Sequence, residues 1–447
     1  MTGRVLRVEP GARIGGEIAV PGDKSISHRA LLLGAVAEGT TTVRGFLESD
    51  DCRATRTALE ALGARVAVAA DGTLTIEGRG LEGLRAAHSP LDLGNSGTAI
   101  RLMMGLLAGQ PFDSALTGDA SLRRRPMERV AEPLRAMGAS IETTQGRAPV
   151  RIRGGRALRG IDYALPVASA QVKSALLLAG LGAQGPTRLT SPGPSRDHTE
   201  RMLEAMGVRV EQDLDRHVVS LEGPAAPQGA AIDVPGDLSS AAFFVVAACL
   251  AAAPELVIRN VGVNPTRAGI LTLLEAMGAR IERVGARTQG GEPVADLRVR
   301  KCALSGVDVP PELVPLAIDE FPILFVAAAA ASGTTRVTGA AELRHKETDR
   351  IAVMARALEI LGVRVEELAD GLVIEGGRLA GGSVDSAGDH RVAMALAVAS
   401  LASDGPIEVH NTDEVATSFP GFVEVARSAG MHIEQRRPGA AAAGGGA

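Results

Sequence analysis

Hydrophobic positions along the chain fall into two patterns that alternate from end to end. The first is a short amphipathic helix that closes on glycine and runs at once into a strand. It reads Ala58-Leu-Glu-Ala-Leu-Gly63-Ala-Arg-Val66, then Pro133-Leu-Arg-Ala-Met-Gly138-Ala-Ser-Ile141 and Met202-Leu-Glu-Ala-Met-Gly207-Val-Arg-Val210. It returns as Leu273-Leu-Glu-Ala-Met-Gly278-Ala-Arg-Ile281, as Ala357-Leu-Glu-Ile-Leu-Gly362-Val-Arg-Val365 and, more weakly, as Val425-Ala-Arg-Ser-Ala-Gly430-Met-His-Ile433. Successive glycines stand 75, 69, 71, 84 and 68 residues apart, a period of repeat architecture. Glycine there predicts a left-handed residue that ends the helix without a Cβ clash.

The second pattern is a helix apolar around nearly its whole circumference, which predicts burial on nearly every side. Six such stretches lie near Ser27 to Ala37, Gly97 to Leu107, Ala170 to Leu181, Ser239 to Ala252, Glu320 to Ala331 and Arg391 to Leu401. Short strands follow, as at Thr40 to Val43, Thr187 to Thr190 and Thr334 to Thr338. Six units of buried helix, strand, outer helix, glycine and strands imply an α/β protein with central helices wrapped by sheet. Val20-Pro-Gly-Asp-Lys-Ser25 recurs as Val234-Pro-Gly-Asp-Leu-Ser239, an offset of 214 residues, so the units group as three plus three. The duplication puts crossovers near residues 20 and 235, where Pro-Gly supplies turn chemistry. The low-complexity stretch 438–447 is expected to be disordered.

Composition narrows the function classes. Lys plus Arg total 47 against 52 Asp plus Glu, a net charge of −5, which argues against a general nucleic-acid binder. Aromatics make up 2%, too few for base-stacking platforms. Cys52, Cys249 and Cys302 are scattered with no Cys-x-x-Cys, which fits a reducing cytosol. No stretch of signal-peptide length opens the chain, and the apolar runs fall short of a membrane span, so a cytoplasmic protein is expected.

Charge then picks out the N-terminal ends of the buried helices. Asp23-Lys24-Ser25 with His28-Arg29, Asn95-Ser96-Gly97-Thr98 with Arg101, and Ser169-Ala-Gln171 with Lys173 serve the first half. Ser239-Ser240, Asp319-Glu320 and Asp389-His390-Arg391 serve the second. Helix N-termini carry unpaired N–H groups and a partial positive charge, a ready anion site. Any one of these residues could instead be a cap, and Ser239, with no cation close in sequence, reads as one. Arg123-Arg124-Arg125 and Arg344-His-Lys-Glu-Thr-Asp-Arg350 add cations. So much positive charge at helix ends of a net-acidic chain points to a polyanionic small molecule. Gly78-Arg-Gly80-Leu-Glu-Gly83 lacks the long helix and distal acid of a dinucleotide site, and the eight histidines form no i, i+4 zinc pair, so neither a nucleotide cofactor nor a metal is expected.

Pro21-Gly-Asp-Lys-Ser-Ile-Ser-His-Arg29, Leu93-Gly-Asn-Ser-Gly-Thr-Ala-Ile-Arg101, Arg125-Pro-Met, Ser169-Ala-Gln-Val-Lys-Ser174, Arg344 to Arg350 and Asp389-His-Arg391 together resemble the 5-enolpyruvylshikimate-3-phosphate synthase family. The likeness runs from about Val8 to Ile433. Ser169-Ala-Gln, Arg196-Asp-His-Thr199 and Ile318-Asp-Glu-Phe-Pro322 resemble the family's second, glyphosate-tolerant class. The resemblance implies two domains of three βαβαββ-like units each: residues 21–235, and 1–20 plus 236–437. It also implies transfer of the enolpyruvyl group of phosphoenolpyruvate to the 5-hydroxyl of shikimate 3-phosphate, with release of phosphate.

Carried over by motif, Lys24, Ser25, Arg29, Ser169, Gln171, Asp319 and Lys346 would hold shikimate 3-phosphate. Lys24, Gly97, Arg125, Gln171, Arg350 and Arg391 would hold phosphoenolpyruvate. Asp319 would accept the hydroxyl proton and Glu347 would carry the carbon-bound proton, with His390 the alternative carrier; Lys24 completes the catalytic set. Without the family, Asp319 reads as a helix cap and Glu347 as an ion-pair partner of Arg350. Two positions depart from part of the family: Ala170 replaces a serine, and Ala416 to Pro420 lacks a lysine. A monomer without cofactor, acting on these two small molecules, is expected. The rival readings are the enolpyruvyl transferase acting on UDP-N-acetylglucosamine and a non-catalytic anion-binding module. The first is disfavoured because Leu116 to Arg125 holds no cysteine and serine follows Lys24.

Overall fold

The computed structural model describes residues 3–437; the expectation for 438–447 lies outside them. The chain divides into two compact units. The first comprises Pro21–Pro235 and Arg287–Pro293; the second comprises the N-terminal residues up to Val20, Gly236–Ala286, and Val294 onward.

In the first unit the helices are α1 (Lys24–Val36), α2 (Asp50–Ala61), α3 (Gly97–Leu107), α4 (Glu128–Ala136), α5 (Ala170–Gly180) and α6 (His198–Ala205). Three four-stranded sheets accompany them, and each repeats one plan. In the middle sheet Leu91–Asp92 runs parallel to Ser114–Thr117 across α3. Ser114–Thr117 then pairs antiparallel with Arg147–Arg153, which pairs antiparallel with Ser140–Thr144. That is βαβαββ, with a right length of crossover for one buried helix. The outermost strand of the unit's first sheet is Ala231–Asp233, parallel to Glu38–Arg44, although it immediately precedes the second unit in sequence.

The second unit carries α7 (Leu238–Ala251), α8 (Gly269–Ala276), the single turn α9 (Val314–Ala317), α10 (Phe321–Ala329), α11 (Arg350–Ile360), α12 (His390–Ala399) and α13 (Phe422–Ser428). Its sheets are completed from the N-terminus. Ile14–Ala19 runs parallel to Ala252–Gly262, and Val5–Val8 lies between Ile407–His410 and Ile433–Arg436, antiparallel to both. No helix among the described residues is long and apolar enough to cross a membrane.

The apolar helices are buried as their composition requires: every residue of α7 from Leu238 to Cys249 is buried, as is every residue of α10. Helix starts differ from the hydrophobic pattern in one instructive way. α1 begins at Lys24, not Ser27, because Asp23 caps it through a 2.9 Å bond from the Ile26 amide. α12 likewise begins at His390, with Asp389 accepting from the Arg391 and Val392 amides. Polar residues that precede the apolar stretches therefore occupy first turns, where the helix dipole acts on them most strongly. Two further features were not apparent from local sequence. Residues 287–293 group with the first unit, where buried Glu292 pairs with His198 Nδ1 at 2.7 Å. Cys249 and Cys302 are neighbours, the Cys302 amide donating to the Cys249 carbonyl at 3.0 Å.

All six repeat glycines adopt positive φ, from 80° at Gly207 to 105° at Gly430. They do not cost the same to replace. At Gly362 a methyl would meet nothing closer than Ala380 Cβ at 3.7 Å, whereas at Gly430 it would lie 2.2 Å from the Arg13 carbonyl oxygen. Gly362→Ala should cost about 1–2 kcal/mol, the left-handed strain alone. Gly430→Ala should cost roughly 1–3 kcal/mol more from overpacking. Urea unfolding of the two variants checks this, and equal losses would contradict it.

Candidate active site

In the first unit the N-terminal turns of α1, α3 and α5 are tied together by polar contacts. Lys24 sits in the first turn of α1, an unfavourable place for a cation, and is ion-paired with Asp51 of α2. Arg29, one turn on, is 3% exposed. Its Nε donates to Thr199 Oγ1 at 2.6 Å, its Nη1 to the Ser25 carbonyl at 3.0 Å and its Nη2 to Ser174 Oγ at 2.7 Å. All three partners are neutral, and burial draws the guanidinium pKa down to about 10. Folding thus maintains a charged group in a desolvated site with only hydrogen bonds at contact distance, an arrangement suited to receiving an anion.

From α3, Arg101 donates through Nη1 to Gln171 Oε1 at 2.5 Å and through Nη2 to the Pro126 carbonyl at 2.9 Å. Gln171 Nε2 in turn donates to Thr98 Oγ1 at 3.0 Å. Of the Arg123–Arg125 run, only Arg125 turns inward, its Nη2 on Asn95 Oδ1, while Arg123 and Arg124 stay exposed. Gly97 opens α3 directly beneath these cations: a Cβ there would stand 3.1 Å from Arg101 Nη1 and 3.1 Å from Arg125 Nη1. Ser169 caps α5 through the Val172 amide, and Lys173 is drawn away to buried Glu200 at 2.6 Å.

The second unit gathers acids as well as cations. Arg350, 1% exposed, donates from Nε to Asp389 Oδ2 at 2.8 Å and from Nη2 to Glu347 Oε2 at 2.6 Å. Its Nη1 lies 3.6 Å from Asp319 Oδ1 and makes no hydrogen bond among the described residues. Burial would lower the Arg350 pKa, but Asp389, Glu347 and Asp319 together raise it above the ordinary arginine value. Burial would likewise raise the pKa of Asp389; Arg350 outweighs it and holds the carboxyl below the usual range. Asp319 Oδ1 pairs with Lys346 Nζ at 3.2 Å, and its carbonyl accepts from Arg391 Nη1 at 3.2 Å.

Each unit therefore brings together its share of the residues singled out from sequence. Lys24, Ser25, Arg29, Gly97, Arg125, Ser169 and Gln171 meet at three helix ends of the first unit; Asp319, Lys346, Glu347, Arg350 and Arg391 meet in the second. Asp319 is not a cap, since α10 starts two residues later. Glu347 does pair with Arg350. Ser239 is not a cap either: Asp237 fills that role for α7, and a cation is at hand, Arg267 Nη2, 2.7 Å from Ser239 Oγ. Arg344 belongs to a clamp on Asp349 and Glu367 outside the cluster. Asp51, which holds Lys24, carried no sequence signal of its own; Asn95 and Thr199 stand in the recognised motifs, but nothing in those motifs assigned them to Arg125 and Arg29. A groove of about 410 Å³ lined by His88, Asp113, Glu142 and Arg151 includes none of these groups.

The profile of the family described as EPSP synthase (3-phosphoshikimate 1-carboxyvinyltransferase) matches residues 8–426. The chain belongs to the EPSP synthase family. The 3-phosphoshikimate 1-carboxyvinyltransferase of Methylococcus capsulatus is 56% identical over 431 residues, covering 96% of this chain and 98% of the relative. That of Halorhodospira halophila is 57% identical over 440 residues, covering 98% and 99%. A solved EPSP synthase structure from Acinetobacter baumannii superposes with a TM-score of 0.87 at 50% identity, covering 97% of this chain and all of that one. The two three-repeat units are thus the EPSP synthase architecture.

Within this EPSP synthase framework His28 reports on the first cluster. It is fully buried between Thr55 Oγ1, 2.8 Å from Nδ1, and Ser96 Oγ, 3.3 Å from Nε2. Burial first, then the charges of Lys24 and Arg29, pushes its pKa down to about 3. The folded state then refuses a proton that the unfolded chain accepts near pH 6.5, so stability is complete above that pH and declines as pH falls toward 3. Between pH 6.5 and 5 the loss from this group should be about 2 kcal/mol. Thermal or urea unfolding across that range should show a steeper decline for the native chain than for His28→Gln; parallel slopes would mean that His28 titrates normally.

Proposed function

We propose that the residues of these two clusters carry out the family reaction, transfer of the enolpyruvyl group of phosphoenolpyruvate to the 5-hydroxyl of shikimate 3-phosphate with release of phosphate. The observation that carries the reading is Arg350: a fully buried guanidinium fixed by Asp389 and Glu347, with Nη1 left without a hydrogen bond beside the acids. An oxyanion of phosphoenolpyruvate supplies the missing acceptor.

The family resemblance supplies the remaining roles. Glu347 delivers a proton to the methylene carbon of phosphoenolpyruvate, and the adjacent carbon becomes electrophilic. The 5-hydroxyl oxygen of shikimate 3-phosphate bonds to that carbon while Asp319 takes its proton. Glu347 then removes a proton from the methyl group as the carbon–oxygen bond to phosphate breaks, and the phosphate departs with the proton that Asp319 had taken. An anion on Arg350 competes with Glu347 for the same guanidinium, and a carboxyl released from its cation holds a proton more readily. Lys24, Ser25, Arg29, Ser169, Gln171 and Lys346 hold shikimate 3-phosphate; Lys24, Gly97, Arg125, Gln171, Arg350 and Arg391 hold phosphoenolpyruvate. Every step is an acid–base or addition–elimination step, so the reading requires no cofactor. The same proposal takes the protein as a monomer in the cytoplasm, working in aromatic amino-acid biosynthesis.

Phosphate release with both substrates present tests the activity; release with UDP-N-acetylglucosamine in place of shikimate 3-phosphate would overturn it. In that assay Lys24→Met should lose more than a hundredfold, since removing a cation from a desolvated site costs ~3 kcal/mol or more. Asp51 loses its ion pair with Lys24 in this variant, so turnover is to be read below the variant's own melting temperature. Half of native activity would remove Lys24 from the site.

Gly97→Ala would press its methyl on the Arg101 and Arg125 guanidinium ends rather than into open space. The native glycine leaves those cations unshifted, and a glyphosate-sensitive enzyme is expected. In the variant, glyphosate, longer than the substrate it displaces, should suffer more from displaced cations. Inhibition should weaken roughly tenfold, the equivalent of about 1.4 kcal/mol, with a smaller rise in the KM for phosphoenolpyruvate. Equal changes in the two constants would sink the proposal.

A further inference from the structure

Three helix N-termini of the second unit are joined by a buried polar chain of which the reaction scheme uses only Arg391. Arg267 Nη2 bonds to Asp237 Oδ1 and to Ser239 Oγ, the latter at 2.7 Å, and Ser239 Oγ donates to Glu320 Oε1. The same Oε1 lies 3.7 Å from Arg391 Nη1. Glu320 is 1% exposed, yet its side chain makes no capping bond to α10. A buried carboxylate that does not cap needs a cation to offset its desolvation, and Arg391 is the one it touches.

We infer that Glu320 is a positioning residue for Arg391, holding its guanidinium in the orientation that meets phosphoenolpyruvate, with Ser239 and Arg267 fixing Glu320 in turn. The inference rests on the assignment of Arg391 to that substrate. Residues 319 and 320 grip Arg391 Nη1 twice, through the Asp319 carbonyl at 3.2 Å and the Glu320 carboxylate. Two neighbouring residues therefore register the cation to the base, Asp319. A planar guanidinium recognises an oxyanion by direction as well as by charge, so a fixed plane outweighs the repulsion that one more carboxylate exerts on the ligand.

That weighing gives the test its sign. Glu320→Gln keeps the shape and the acceptor for Ser239 but removes the charge on Arg391. The KM for phosphoenolpyruvate should rise about tenfold, within the range of measured coupling energies, while the KM for shikimate 3-phosphate changes less than about twofold. If Glu320 acted only as a repelling charge, the KM for phosphoenolpyruvate would fall. If it only stabilised the fold, the melting temperature would drop and neither KM would move. Ser239→Ala, which keeps every charge and cuts the links of the hydroxyl to Glu320 Oε1 and to Arg267 Nη2, should shift the same KM in the same direction by a smaller factor of about three. Arg391→Lys separates the two levels of the argument. No effect of Arg391→Lys on the KM for phosphoenolpyruvate would refute the assignment of Arg391 itself. The same factor of loss in the native and the Glu320→Gln backgrounds would leave the assignment standing and refute the role of Glu320.

Discussion

A helix that is apolar around its whole circumference can offer only its ends to polar groups, and this constraint organises the molecule. In α7 and α10 every side chain of the helical body is packed, so sheet must cover each flank and charge is confined to the termini. The N-terminal ends are the ones that accept functional groups, because their amides lack partners and their dipole favours anions. Within the first unit the ends of α1, α3 and α5 are cross-linked by Arg29–Ser174, His28–Ser96 and Arg101–Gln171. Within the second, Ser239, Glu320 and Arg391 join the ends of α7, α10 and α12. The candidate site is a consequence of where burial leaves room for charge.

Duplication supplied the same end twice, and sequence divergence gave the copies opposite uses. At the shared offset Lys24 corresponds to Leu238 and Arg29 to Phe243, both fully buried or nearly so. The aspartate cap is common to both, but Asp23 caps a helix that displays a lysine, whereas Asp237 is itself neutralised by Arg267. The first copy keeps cations with mostly neutral partners; the second surrounds its cations with Asp319, Glu320, Glu347 and Asp389. The two copies of one fold thereby differ in how they balance charge: the second sets its cations among carboxylates, the first mostly among neutral groups.

Local chemistry was legible in the sequence, and long-range pairing was not. Positive φ at all six repeat glycines, and the burial of the six apolar stretches, follow from periods and residue types within a dozen positions. The resemblance implied that Ala231–Asp233 belongs to the first unit and Val5–Val8 to the second, but their strand partners lie hundreds of residues away, and no local pattern encodes them. The same limit applied to the charges. Three arginines in a row give no sign that only Arg125 turns inward, and Arg344 and Arg350 look equivalent until Asp349 caps a helix that begins at Arg350. Ser239 looked like a cap because its partner, Arg267, is 28 residues away. The supporting residue Asp51 is ordinary in sequence because its work is to orient another side chain, Lys24.

Arg350 shows how the second unit prepares for a ligand before one arrives. Bringing a guanidinium from water into a fully buried place is costly, and Asp389, itself 0% exposed, offsets that cost within the folded protein. Asp389 also caps α12, so its carboxylate is held by backbone amides on one side and by Arg350 on the other. The cation is therefore fixed in direction by a group that cannot follow the ligand. Desolvation and orientation, which would otherwise subtract from binding, are settled during folding. In the proposed reaction Arg350 Nη1, which makes no hydrogen bond among the described residues, is what remains for the substrate, and its position beside Glu347 and Asp319 sets where the acid–base chemistry would act.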